Sequence, residues 1–166
     1  MSAEHTSFTI HSDTRVTFHD VTDKVKEYLK NTCKIKNGIV VVYSQHTTCS
    51  VIIQEQSDDT DFYGEQYIMT DLVNVLGKII PTCETENRQY KHPGPKHVSI
   101  AAKERGEEPW WSLNTDAHLR SVLLGRSVTI PLIDGEMALG EFGRIYFGDF
   151  DQVRARERTV RVEVIG

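Results

Sequence analysis

The sequence predicts a single α+β domain over residues 1–166: a largely antiparallel β-sheet with two or three helices packed against it. Three observations predict it. Strand-like segments outnumber helical ones and do not alternate strictly with them, as parallel βαβ units would require. Asp134-Gly135, set between two apolar runs, is the strongest hairpin signal in the chain. At 166 residues, 39% of them apolar and 26% charged, the chain is long enough to bury a core without staples.

Taken in order, Phe8–Ile10 and Val16–Phe18 read as short strands. Val21, Val25, Tyr28 and Leu29 then recur at helical spacing, Thr22 offers a cap and Gly38 follows the end, so a helix is expected over 22–31. Ile39–Tyr43 is a continuous β-branched run and therefore a buried strand. Strand character resumes at 47–53, with Cys49, Val51 and Ile53 on one face. Leu72, Val75, Leu76 and Ile79 make an apolar stripe on a helix over 71–80, which Pro81 ends. Residues 81–112 read as a long loop containing Pro and Gly, of the length that more often covers a site than merely connects elements. A further amphipathic helix is expected over 115–124, with Leu119, Val122 and Leu123 inward and Gly125 as its stop. Strands follow at Val128–Ile133, Met137–Leu139, Ile145–Phe150 and Thr159–Ile165. In the last, Val160, Val162 and Val164 alternate with Arg161 and Glu163.

The totals narrow the function classes. A net charge of −5 argues against nucleic acid as a partner, since such domains carry a basic face. Three widely spaced cysteines without a C-x-x-C pair indicate reduced thiols, not a zinc knuckle or a redox dithiol. No apolar run approaches membrane-spanning length and no signal-peptide core is present, so a cytoplasmic protein with no membrane partner is expected.

The stretch YSQHTTCSVIIQE, residues 43–55, places His46, Thr47, Thr48 and Cys49 inside strand-like sequence. An imidazole there either satisfies buried backbone groups or carries chemistry. Cys49 has no sequence neighbour that would lower its pKa and reads as an inert core thiol. His118 lies beside the apolar stripe of its helix, at the edge of the core. Asp116 and Arg120, four apart, suit a helix-surface ion pair. His92 opens the proline-containing loop and His97 follows at an interval unusual for zinc ligands. Three histidines on separate elements, His46, His92 and His118, could converge on a metal with an open position, or act without metal as a base and phosphate donors. Residues 55–71 hold six acidic side chains and no basic one; Glu55 and Asp71 stand where a carboxylate could orient an imidazole. Arg144 follows the LGEFG turn, and Arg154, Arg156 and Arg158 form either a solvated cluster or an anion-binding rim.

HTTCSVIIQE, the Asp-Leu at 71–72, YKH at 90–92, DAHLRSVLLGRSVTIPL, GEMALG, IYFGDFD and RTVRVEVIG together resemble the YjbQ family, the secondary thiamine-phosphate synthases. The resemblance spans nearly the whole chain. It implies an α+β fold that assembles as a homotrimer, and a weak activity joining a hydroxymethylpyrimidine diphosphate to a thiazole phosphate. It places recurring polar residues at His46, Thr47, Glu55, Asp71, His92 and His118. On this footing His46, His118, Asp71 and Glu55 are the expected catalytic groups, and Thr47 and Arg144 the expected substrate contacts. His46, His92 and His118 are the expected ligands of a divalent metal, zinc or magnesium. Other classes stay open: a metal- or ligand-binding trimer without physiological catalysis, or a metal-assisted hydrolase. Two departures concern specificity. The family's usual L-G-T-W-Q is Leu139-Gly140-Glu141-Phe142-Gly143 here, and extra residues around 59–68 and 93–112 bring in Trp110 and Trp111.

Overall fold

Alternation along Thr159–Ile165 sends Val160, Val162 and Val164 into the core, each no more than 1% exposed. The computed structural model describes residues 2–86 and 89–166. In chain order its elements are β1 (Ala3–Ser12), β2 (Thr17–Asp20), α1 (Thr22–Asn31), β3 (Gly38–Ser44), β4 (Cys49–Glu55) and α2 (Tyr67–Ile79). There follow α3 (Pro95–Arg105), a 3-10 turn over Pro109–Ser112, α4 (Thr115–Leu124), β5 (Ser127–Ile133), β6 (Glu136–Met137), β7 (Gly143–Asp149) and β8 (Arg156–Ile165).

The strands form two antiparallel sheets, not the one expected. The larger runs β1-β8-β3-β5-β6 and the smaller β2-β7-β4. Val40 and Val42 of β3 lie opposite Val164 and Val162 of β8. The main core fills the space between the sheets, with Val51, Ile145 and Phe147 of the smaller sheet meeting those valines and Val25 and Leu29 of α1. The strand period of two turns Tyr146 to the opposite face, where it packs with Phe18, Met69, Leu76, Ala117 and Phe150 under α2 and α4. Gly148 makes this second layer possible: a Cβ there would stand 2.7 Å from the Phe18 ring.

Two of the connections between the sheets frame one corner. Residues 45–48 carry the chain from β3 to β4, and residues 150–155 from β7 to β8. The two crossings lie side by side, because Cys49 pairs with Asp149 and the Phe150 N–H donates to the Thr48 carbonyl at 3.1 Å.

Several expectations are corrected. Four α-helices are present, because α3 sits inside the segment expected as loop over 81–112; residues 87 and 88 of that segment lie outside the described residues. Its flags were local, Pro95 at the first turn and Gly106 as a left-handed cap at φ 63°. It buries only Ala101, so it shows no apolar stripe. Helix α2 begins at Tyr67, and Met69 and Leu76 are its buried residues while Val75 and Ile79 stay exposed. Helix α4 is turned over relative to its stripe. Leu119, Val122 and Leu123 are 42%, 77% and 56% exposed, and Ala117, Ser121 and Arg120 face inward. Ala117 and Ser121 suit that face because the helix lies close on β4, where the Ser121 hydroxyl donates to the Cys49 carbonyl at 2.6 Å, while Arg120 donates to the Ile80 carbonyl at 2.8 Å. Thr22 is not the cap of α1. Asp20 accepts its N–H at 2.9 Å, and the Thr22 hydroxyl takes the Ile145 N–H at 2.8 Å. Among the described residues no helix is long and apolar enough to cross a membrane.

Candidate functional site

The corner where the chain changes sheets carries a concentration of buried charge. Asp149 and Asp151 are each 1% exposed and Arg158 4%. Arg158 donates through Nε to one Asp149 oxygen at 2.6 Å and through a terminal nitrogen to the other at 3.0 Å; that nitrogen also reaches the Thr48 hydroxyl at 3.0 Å. Asp151 takes Arg156 at 2.8 Å and Arg158 at 3.4 Å. Ser12 adds a hydroxyl to Asp149 at 2.6 Å. Such pairs survive burial only when each charge is matched and its lone pairs are filled. Burial pushes the Asp149 carboxyl up, but the hydrogen bonds from Arg158 and Ser12 outweigh it and hold the group below the ordinary carboxylate range. Beside it, burial pushes the Cys49 thiol up to about 12, which keeps it protonated and inert.

The imidazoles are fixed by backbone. Nε2 of His46 accepts the Thr159 N–H at 3.0 Å, so its proton sits on Nδ1. Nδ1 of His118 lies 3.2 Å from the Thr47 carbonyl; a carbonyl only accepts, so Nδ1 is protonated and Nε2 keeps the basic lone pair. The His92 ring packs edge-on against His97 at 4.6 Å and His118 at 6.1 Å between centroids. Its carbonyl accepts the Thr115 hydroxyl at 2.6 Å, tying this segment to the start of α4.

Burial is the first cause holding His19, His46, His92 and His118 below the ordinary imidazole value of 6.5; neighbouring cations add to it at His46, and His97 and His118 at His92. Below pH 6.5 the unfolded chain therefore binds more protons at these sites than the folded one. The stability they allow is complete above that pH and falls as pH drops through the window beneath it. Glu65 and Asp116, raised by burial, act oppositely above their own ordinary values of 4.5 and 3.8. The expected result is a lower unfolding midpoint in urea at pH 5.5 than at pH 7.0. A midpoint at pH 5.5 equal to or above that at pH 7.0 would exclude the histidine account.

A cavity of about 460 Å³ opens over this corner. Gln45, His46, Thr47 and Thr48 of the first crossing line it together with Asp151, Arg156 and Arg158 of the second. His118 and Asn114 enter from α4 and the residue before it, His97 and Arg105 from α3, and Trp111 and Ser112 from the 3-10 turn. Arg154 stacks on the Trp111 ring at 3.6 Å and, with Arg105, flanks Glu107. Four guanidinium groups (Arg105, Arg154, Arg156, Arg158) thus face three carboxylates (Asp149, Asp151, Glu107), an arrangement one positive charge in excess.

Residues 6–166 match the family model described as UPF0047 protein YjbQ-like. The chain belongs to the YjbQ family. A UPF0047 protein of Archaeoglobus fulgidus is 31% identical over 92% of this chain and 96% of its own, and one of Methanothermobacter thermautotrophicus 32% identical over 92% and 85%. Among solved structures, a hypothetical protein from Aeropyrum pernix superposes with TM-score 0.74 at 29% identity, covering 98% of each chain. An uncharacterised YjbQ/UPF0047 protein from Clostridium acetobutylicum gives TM-score 0.71 at 26% identity, covering 96% of this chain and 99% of its own.

Within this YjbQ chain, the structure brings His46, Thr47 and His118 to one cavity, with His92 packed against His118. It does not bring the other expected site residues there. Glu55, at the far end of β4, and Asp71, on α2, are exposed and line none of that cavity. Arg144 is committed elsewhere, donating to Asp20 at 2.6 Å and Asp23 at 3.0 Å, where it ties β7 to the start of α1. Among the described residues no group of three or more His, Cys, Asp or Glu side chains is disposed to hold a metal ion, and Nε2 of His46 is taken by the Thr159 N–H. The divergent 139–143 turn also lies off the cavity, with Phe142 61% exposed. Sequence reasoning passed over Asp149, Asp151, Asn114 and Ser112. The pairing of two aspartates with Arg156 and Arg158, only a few residues on, was the available signal.

Proposed function

We propose that the cavity is the active site of a transferase for small phosphorylated substrates, one that joins a hydroxymethylpyrimidine diphosphate to a thiazole phosphate with weak activity. The observation that carries this reading is His118. Its Nδ1–H is fixed on the Thr47 carbonyl, its Nε2 stays basic, and it shares a cavity with Arg105, Arg156 and Arg158. In the reaction the thiazole nitrogen forms a bond to the pyrimidine methylene carbon while the carbon–oxygen bond to pyrophosphate breaks, the electron pair leaving with pyrophosphate. The guanidinium groups and the Nδ1–H of His46 meet the negative charge of the leaving group. Positive charge spreading onto the pyrimidine amino group is supported by Nε2 of His118, which accepts its N–H. Glu55, Asp71 and Arg144 have no part in this scheme. The residues present do not fit a resident zinc; magnesium fits the proposal as a counter-ion carried in by the substrate phosphates.

The homotrimer implied by the family resemblance belongs to the same reading. Helix α4 positions His118 on one side and presents Leu119, Val122 and Leu123 outward, a face suited to a second copy of the chain. Val122→Glu is expected to reduce a species of three chain masses to one in light scattering; an unchanged mass would remove α4 from the interface. Turnover itself is tested by thiamine-phosphate formation from the two purified substrates. Product formation that depends on His118 supports the transferase. Tight binding with no product points to a ligand-binding trimer, and release of phosphate or carboxylate products from ester panels points to a hydrolase.

A further inference from the structure

A second cavity, of about 400 Å³, shares no lining residue with the first. Its size falls within the roughly 300–1,000 Å³ of small-molecule sites. Helix α4 serves both. His118 lines the first and Arg120 the second, and two residues of an α-helix stand about 200° apart around its axis. The crossing over 150–155 does the same, with Asp151 on the first cavity and Gln152 on the second. In a chain of net charge −5, this second cavity is lined by two arginines and no carboxylate.

Arg120 is only 2% exposed, yet it lines this cavity. Its Nε and Nη2 donate to the Ile80 carbonyl at 3.2 and 2.8 Å, and Nη2 also to the Thr82 hydroxyl at 3.2 Å. Nη1 has no partner among the described residues and is not closed off from solvent, so it opens on the cavity. Thr82 accepts from Arg120, which frees its own O–H to donate. The side chains of Thr14, Asn74 and Gln152 also line the cavity, unpartnered among the described residues and open to solvent. Arg15 donates to Asp13 through Nε and Nη2, at 3.0 and 2.8 Å. Asp13 and Asp116, the carboxylates paired with these two arginines, both lie off the cavity. An occupant therefore meets hydrogen-bond donors and positive charge without a facing anion. We propose that this cavity is a second ligand site, separate from the substrate cavity, which binds a small oxyanion through a carboxylate or phosphate group.

The probes are succinate, inorganic phosphate and the uncharged succinamide, titrated at pH 7.5 into the full chain labelled with nitrogen-15. The side-chain amide resonances of Asn74 and Gln152, assigned with Asn74→Ala and Gln152→Ala, are expected to shift saturably with an anion and not with succinamide. Whichever anion saturates them names the group bound, carboxylate or phosphate. Gly77 supplies the decisive variants. It lines the cavity on the same face of α2 as Asn74, and a Cβ there would meet nothing within 4 Å, so a longer side chain has room. Gly77→Glu sets a negative charge against the ligand and is expected to weaken the anion about tenfold. Gly77→Gln, of the same shape, is expected to keep wild-type affinity. Both variants replace a helical glycine and should unfold at or above the wild-type temperature. Amide resonances unmoved by either anion overturn the site, as do equal shifts with succinamide or equal affinity in the two Gly77 variants. His118→Ala should leave these shifts unchanged, so the result stands apart from the fate of the transferase.

Discussion

Asp149→Ala is expected to destabilise the protein by about 3–5 kcal/mol, because it strands a buried guanidinium. Arg158 would lose both of its short bonds, at 2.6 and 3.0 Å, while remaining 4% exposed. The Ser12 hydroxyl and the Asp151 N–H would lose their acceptor as well. For a chain of this length each kcal/mol moves the unfolding temperature by roughly 2–4 °C, so a drop of about 10 °C is expected in calorimetry. Asp23→Ala is the contrast. Asp23 also pairs with an arginine, but its side chain is 77% exposed, and the loss should stay within about 1 kcal/mol. Asp149→Leu combined with Arg158→Met should recover most of the stability, since an apolar replacement removes both desolvation penalties together. A loss below about 1 kcal/mol in the single variant would show that Arg158 finds solvent or another partner.

His118→Ala is expected to lower the rate of thiamine-phosphate formation by about 10²–10⁴-fold, the usual contribution of a positioned acid–base group. The fold should survive, because the ring is half-buried and its hydrogen bond goes to a carbonyl of the exposed Thr47. Burial outweighs the opposing pull of the Thr47 carbonyl and holds the His118 imidazole below 6.5, so its basic form persists into mild acid. The acid limb of the pH–rate profile should accordingly lie below pH 6.5 and be lost in the variant. Wild-type rates in His118→Ala would leave the cavity without its proton acceptor and end this assignment.

How much of this was legible depended on which physical signal each residue carried. Val160, Val162 and Val164 were readable because a period of two has one meaning in a half-buried strand. The hairpin at Asp134-Gly135 was readable because position 134 needs a positive φ, 51° here, which few side chains tolerate. Helix α4 was located correctly and oriented wrongly, since Leu119, Val122 and Leu123 look the same whether they face a core or another molecule. The division into two sheets was hidden, because nothing local marks a strand that changes partners at residues 45–48. The same crossing hid the site. His46, Thr47 and His118 could be named from sequence, but Asp149 and Arg158 acquire meaning only once β7 and β8 deliver them to one corner. Glu55 and Asp71 lie off this cavity, because acidic residues near a motif in sequence need not be near it in space.

Helix α3 buries only Ala101 yet contributes His97 and Arg105 to the cavity wall. A segment with so little apolar anchorage opens at a lower free energy than the sheets behind it. An occupant touching both would therefore act as its missing core. Occupancy at a hundred times the dissociation constant adds about 2.7 kcal/mol to whatever state binds. By reciprocity, closure of α3 would raise the occupant's affinity by the same factor by which the occupant favours closure. An occupant bridging α3 and the sheets would thus form one cooperative unit with the helix, and its affinity would also report how firmly α3 is held.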